Sequence, residues 1–130
     1  MKSVEQELKT DANELIKIVH DETETALETL DMSSANIWSS TTLYTKEVRE
    51  KREQWFKTWL SKNRIPNAEH IYDFHNSAGD GDDENDLIMS RWGILETLSI
   101  TQVSVANKQA NLAYHDFSQS SVDQKKIILM

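Results

Sequence analysis

The chain contains no cysteine, one proline and three glycines in 130 residues. The absence of cysteine excludes disulfide frameworks, thiolate zinc sites and cysteine nucleophiles. All-β sandwiches and barrels use many turn residues, and average usage is about 7% glycine and 5% proline, so this composition argues against an all-β fold. No run approaches the roughly 18 apolar residues of a transmembrane helix, and the first residues contain no apolar signal segment. We therefore expect a soluble, intracellular protein located in the cytoplasm.

Positive charge is also scarce, and the net charge of −8 is spread unevenly along the chain. Residues 1–31 carry nine acids and three bases, whereas residues 32–66 carry three acids and seven bases. Residues 67–90 carry seven acids and no base. Phosphate recognition depends on clustered Lys and Arg, so the acidic total makes a nucleic-acid partner unlikely. Only the second block offers a basic face.

The apolar residues that are present recur at helical spacing in two long segments. Between Val4 and Leu30 they recur at intervals of four and seven, which predicts a helix over residues 3–31. Tyrosine, valine and two tryptophans share one face of a second helix expected over residues 39–62. Pro66 is difficult to accommodate in a continuing helix and favours a stop before it.

A third periodic segment predicts a helix over residues 86–120, with steps of three and four along one seam. A short helix is expected over residues 68–76, followed by a flexible acidic loop over 77–86. Together these segments predict an all-α fold, an elongated antiparallel bundle of three long helices in a single domain, 1–130. The seam contains Ile88, Trp92, Leu95, Ser99, Val103, Ala106, Ala110, Ala113, Phe117 and Ser120.

The acidic loop and the histidines do not match a known metal motif. Numbered from Asp80 as an EF-hand, the sixth position is Asn85 and the twelfth is Arg91, in place of the required Gly and Glu. None of the four histidines follows a glutamate by three residues, as a ferritin-like di-metal site requires. The loop is instead expected to dock on a basic partner or to contact basic residues of its own chain. Its acids are Asp80, Asp82, Asp83, Glu84 and Asp86, and the basic residues are Arg49, Lys51 and Arg52.

No sequence pattern points to an enzyme. The chain lacks a G-x-S-x-G turn and a glycine-rich phosphate loop. The acids near His20 are typical of a solvated helix face. We therefore expect no catalytic residues, no bound metal and no cofactor.

The most distinctive segment of the chain is basic and aromatic. It places Trp55, Phe56 and Trp59 within five residues. Aromatic and arginine enrichment is typical of interface hot spots, which makes Arg52, Phe56 and Lys57 candidate interface residues. Alternatively, the two tryptophans are core residues and Phe56 widens the buried stripe. The two interpretations are compatible.

These features support three hypotheses, of which the first is a non-enzymatic interaction or scaffold module. It would self-associate or dock a partner helix through seam residues Ser99, Val103, Ala106, Ala110, Ala113 and Phe117. Second, three long helices with a basic aromatic segment resemble in outline the BAR domains of sorting nexins and amphiphysins, which implies a membrane-surface module. A net charge of −8 argues against that role. Third, the acidic loop suits a small acidic inhibitor of a basic partner.

Overall fold

The computed structural model describes residues 14–130, which belong to two compact units that divide between Asn36 and Ile37. The first unit contains an antiparallel hairpin of strands β1 (Leu15–His20) and β2 (Thr25–Leu30). One carboxylate oxygen of Asp21 accepts hydrogen bonds from the backbone amides of Thr23 and Glu24, at 2.8 and 2.7 Å. Aspartate favours turns because its side chain bonds the backbone that follows it. Asp21 thereby closes the hairpin.

The second unit begins with two helices. Helix α1 (Lys46–Lys62) begins at Thr45, whose hydroxyl accepts a hydrogen bond from the Val48 amide. Helix α2 (Ala68–Ser77) begins at Asn67, whose side chain and that of His70 form a reciprocal capping box. Such caps satisfy backbone amides that have no partner within the helix. Neither helix of residues 14–130 has the length and apolar content that crossing a lipid bilayer requires.

Five strands follow the helices in the second unit. Two short strands pair as a hairpin, and three eight-residue strands form an antiparallel sheet in the order β5–β6–β7. Asn107 and Lys108 join β5 to β6 with φ values of 51° and 59°. Two consecutive positive φ values are typical of a type I′ hairpin turn, in which asparagine is favoured first. The strands are β3 (Ser90–Arg91), β4 (Leu95–Glu96), β5 (Ser99–Ala106), β6 (Gln109–Asp116) and β7 (Ser121–Ile128).

Helix α2 packs on one of the two faces of the β5–β7 sheet. Side chains alternate between faces along each strand, and α2 packs on the face that carries Gln102 and His115. We call this the helix face and the opposite one the open face. The register places Val103, Val105, Ala110, Leu112, Tyr114 and Ile127 together on the open face.

The expected all-α bundle is wrong, and no coiled-coil seam forms within the described part of the chain. Residues 99–116, expected in the third helix, are the antiparallel strands β5 and β6. The described part of the expected helix over 3–31 is the β1–β2 hairpin, and residues 3–13 lie outside the described range. Helices do occur at two of the expected positions: α1 lies within 39–62, and α2 covers 68–76 and extends one residue further. Spacings of three and four arose by chance in the strands, where β-branched residues and tertiary pairing favour extended backbone.

Candidate functional site

The centre of the second unit is a buried arginine. Arg52 of α1 is 6% exposed. Its Nε donates to the carbonyl of Asn85 at 3.1 Å, and its Nη2 donates to the carbonyl of Asp86 at 2.7 Å. Its guanidinium carbon lies 3.7 Å from the centroid of the Tyr44 ring. Arg52 therefore joins α1 to the acidic loop and is occupied within the chain, so it is not presented to a partner.

A second arginine fixes the other side of the same loop. Arg91 of β3 donates from Nε to the Glu84 carbonyl at 2.9 Å and from Nη2 to the Leu43 carbonyl at 3.0 Å. Its guanidinium carbon lies 5.2 Å from the Tyr44 ring, at cation–π distance. The two arginines and Tyr44 thus connect α1, the loop and the β3–β4 hairpin.

The acids of the loop are also used within the chain. Lys51 pairs with Asp80 at 2.6 Å, and this hydrogen bond lowers the pKa of the Asp80 carboxyl and raises the pKa of Lys51. The Asp86 carboxylate accepts hydrogen bonds from the amides of Asp80 and Gly81, at 3.0 and 3.1 Å. The contact of the loop with its own chain was expected at Arg49, Lys51 and Arg52. It is present at Lys51 and Arg52, whereas Arg49 donates to the Tyr44 carbonyl at 3.0 Å.

The described residues offer no metal centre. No group of three or more histidines and carboxylates between residues 14 and 130 is arranged to hold a metal ion. Asp82 instead accepts hydrogen bonds from the Glu84 amide and the Asn85 side chain, at 3.2 and 2.8 Å. Asp83 and Glu84 have exposed side chains.

The aromatic segment of α1 packs against α2. The Phe56 and Trp59 rings lie 5.7 and 4.9 Å from the ring of Phe74, which is buried. Rings at these distances attract one another in tilted and edge-on arrangements. Beside them an open cleft of about 360 Å³ is lined by residues that include Trp55 and Lys62. Phe56 therefore belongs mainly to the helix pair, whereas Lys57 is exposed.

The six seam residues that were expected at an interface are divided between the faces of the sheet and a turn. Side-chain alternation and the observed register place Ala106 and Ala113 on the helix face. Phe117 follows β6, and its amide donates to the Leu98 carbonyl at 3.0 Å. The remaining three, Ser99, Val103 and Ala110, lie on the open face.

The open face presents apolar side chains in consecutive rows. In the first row Val105, Ala110 and Ile127 are directly opposite one another, and in the second Val103 and Leu112 are paired. Ala110 is buried beneath its larger neighbours, whereas Val103 is 64% exposed and Val105 62% exposed. Val103, Val105 and Ile127 therefore form an exposed apolar cluster on the open face.

Sequence reasoning missed the hairpin that connects β3 and β4. Its turn presents Trp92 and Ile94, which are 79% and 86% exposed. Trp92 was assigned to the apolar seam of the third helix, where it would be covered. The signal that could have identified the turn is Gly93, flanked by these two apolar residues.

Comparisons with known proteins do not place this arrangement in a family, because no family model, no curated protein and no solved structure matches the chain.

Proposed function

We propose that this chain is a non-enzymatic interaction module that self-associates through the open face of the β5–β7 sheet. The observation that carries the proposal is the apolar cluster that this face leaves exposed. An antiparallel sheet normally packs an apolar face on the core and presents the other face to water. Here α2 packs on the helix face, while Val103 and Val105 are exposed on the open face beside Ile127.

The exposed valines supply the driving force for association. Removing apolar surface from water contributes about 25 cal/mol per Å². The residues that surround them on the open face include Leu112 and Tyr114, which are also apolar or aromatic. Aromatic side chains contribute large contact areas in interfaces. A second sheet packed on this face would cover all four side chains.

The charges on the open face favour a second copy of this chain as the occupant. Asp123 and Lys125 lie two residues apart on β7 and therefore share this face, as does Asp116 of β6. In a two-fold symmetric dimer the same patch meets itself, and a residue of each copy contacts its partner residue in the other. Lys125 of one copy can then face the acids of the other, so the patch is complementary to itself.

The size of the sheet indicates a weak association. Eight residues at about 3.3 Å each and three strands about 4.8 Å apart give a flat area of roughly 380 Å². Stable interfaces bury about 800 Å² on each partner. We therefore expect a weak dimer that forms and dissociates with concentration.

Light scattering over a dilution series tests the proposal. The wild-type mass is expected to rise from 15.0 kDa toward twice that value with concentration. Val103→Lys introduces a charge on the open face and should remain monomeric. The matched control is Val122→Lys, because Val122 is 52% exposed but lies on the helix face. This control should associate as the wild type does.

Two results would contradict the proposal. The first is a monomer at every concentration of the wild type, which would mean that the open face does not close on a second copy. The second is equal association of the Val103→Lys and Val122→Lys variants.

A further inference from the structure

The β3–β4 hairpin ends in an apolar tip held in an unusual backbone conformation. The Ile94 amide donates to the Arg91 carbonyl at 3.0 Å, which closes a turn whose central residues are Trp92 and Gly93. Their φ values are 55° and 67°. Asparagine, aspartate and glycine are favoured at such positions, and a bulky residue there is uncommon. A tryptophan that is both exposed and held at positive φ therefore has no stabilising role that explains it.

The base of the hairpin is firmly anchored, so the tip is presented in a defined orientation. The Thr97 amide donates to the Met89 carbonyl at 2.9 Å, and the Met89 amide donates to the Thr97 hydroxyl at 3.0 Å. Met89 is buried. Arg91 holds the other side through its bonds to the Leu43 and Glu84 carbonyls. A binding element fixed in advance loses little conformational freedom when it binds.

The surroundings of the tip are acidic. The Ser90 amide donates to the Asp83 carbonyl at 2.7 Å, so the acidic loop lies against β3. Asp83 and Glu84 of this loop have exposed side chains, and Glu96, which is also exposed, pairs with Ser90 across the hairpin. The cation of the hairpin, Arg91, is bonded to carbonyls of its own chain. The hairpin therefore combines an apolar tip with acidic residues beside its strands.

We propose that the hairpin tip, Trp92 and Ile94, inserts into an apolar pocket of a different protein, and that this pocket is bordered by Lys and Arg. The tip is convex and fits a concave site. Its carboxylates complement bases and would be repelled by an anionic lipid surface. The tip lies apart from the open face in sequence and topology, so this proposal does not depend on self-association.

Photocrosslinking with the full-length protein in cells that express it tests the proposal. A photoreactive amino acid in place of Leu95 leaves Trp92 and Ile94 intact and lies next to them. The same amino acid in place of Ile65, which is 92% exposed, is the control position. A protein crosslinked only from position 95 is then purified. Its crosslinked peptide should lie at an apolar pocket flanked by Lys or Arg.

Binding of that purified protein is then measured with three variants. Trp92→Ser and Ile94→Ser should each weaken binding at least tenfold, whereas Ile65→Ser should leave it unchanged. Three results would overturn the proposal. The first is the same set of crosslinks from positions 95 and 65, and the second is a crosslinked surface that is acidic or polar. The third is equal binding of the purified protein by all three variants. Sedimentation of the wild type with phosphatidylcholine vesicles, lost in Trp92→Ser, would identify a lipid surface in place of a protein and would also overturn it.

Discussion

Replacing Arg52 with methionine tests whether the buried arginine holds the second unit together. The substitution keeps a long side chain but leaves the carbonyls of Asn85 and Asp86 without their donor. An unsatisfied buried acceptor costs about 1–3 kcal/mol, and loss of the contact with Tyr44 adds about 0.5–2 kcal/mol. Methionine also avoids the cost of burying the guanidinium charge, which offsets part of this loss. We expect the free energy of unfolding to fall by about 2–4 kcal/mol.

Urea unfolding followed by tryptophan fluorescence measures this change. All four tryptophans lie in residues 37–130, so the signal reports the second unit. Arg64→Met is the control, because Arg64 is exposed and its removal should change stability by less than about 0.5 kcal/mol. Arg52→Lys keeps the charge but lacks the planar guanidinium, so its free energy of unfolding should lie between those of the wild type and Arg52→Met. A difference below about 1 kcal/mol between the two methionine variants would refute the reasoning.

Two further predictions concern the acidic loop and the hairpin tip. The hydrogen bond from Lys51 lowers the pKa of Asp80 in the folded state. The pair therefore stabilises the fold above the unfolded-state pKa of about 3.9. This contribution is lost as the pH falls through the lower folded-state pKa. Asp80→Asn should therefore lose less stability than the wild type in urea titrations from about pH 5 to about pH 3, and identical pH profiles would contradict this. Trp92→Asn should raise the urea midpoint, because asparagine adopts a positive φ at a cost about 1 kcal/mol lower than tryptophan does. A lowered midpoint would show that the tryptophan stabilises the fold.

The helical parts of the fold could be predicted because their signals are local. Thr45 and Asn67 are residues that favour helix starts, and Pro66 separates the two helices. Caps and prolines act through neighbouring backbone groups, so they can be recognised without knowledge of the tertiary structure. The contact between the acidic loop and α1 could also be predicted, because a basic helix is followed in the sequence by a segment with seven acids and no base.

The sheet was missed because two periodic patterns overlap in residues 99–116. Alanines and valines at spacings of three and four match a helical seam, but Val103 and Val105 also alternate with polar residues, as in a strand. The scarcity of glycine and proline argued against turns, yet Asn107 and Lys108 form one with positive φ values. Pairing between strands determines whether such a segment becomes a helix or a strand, and a single sequence does not show which strands pair.

The site could be predicted only in part for the same reason. An aromatic residue and an arginine, such as Phe56 and Arg52, are consistent with either a core or an interface. Tertiary packing determines that Arg52 is buried against the loop. Which face of the sheet α2 covers depends on contacts such as that between Gln102 and the Ala68 carbonyl. Val103 and Ala110 were selected for a helical seam and instead share the open face.

The most direct test of self-association through the open face is a distance measurement between spin labels. The chain has no cysteine, so a single cysteine can be labelled without interference. Tyr114→Cys places the label on the open face, and Gln124→Cys places it on the helix face. Sheets pack face to face about 10 Å apart, so we expect a distance of roughly 10–20 Å between labels at position 114 and a longer one at position 124. No coupling at position 114, or a shorter distance at position 124, would contradict the account.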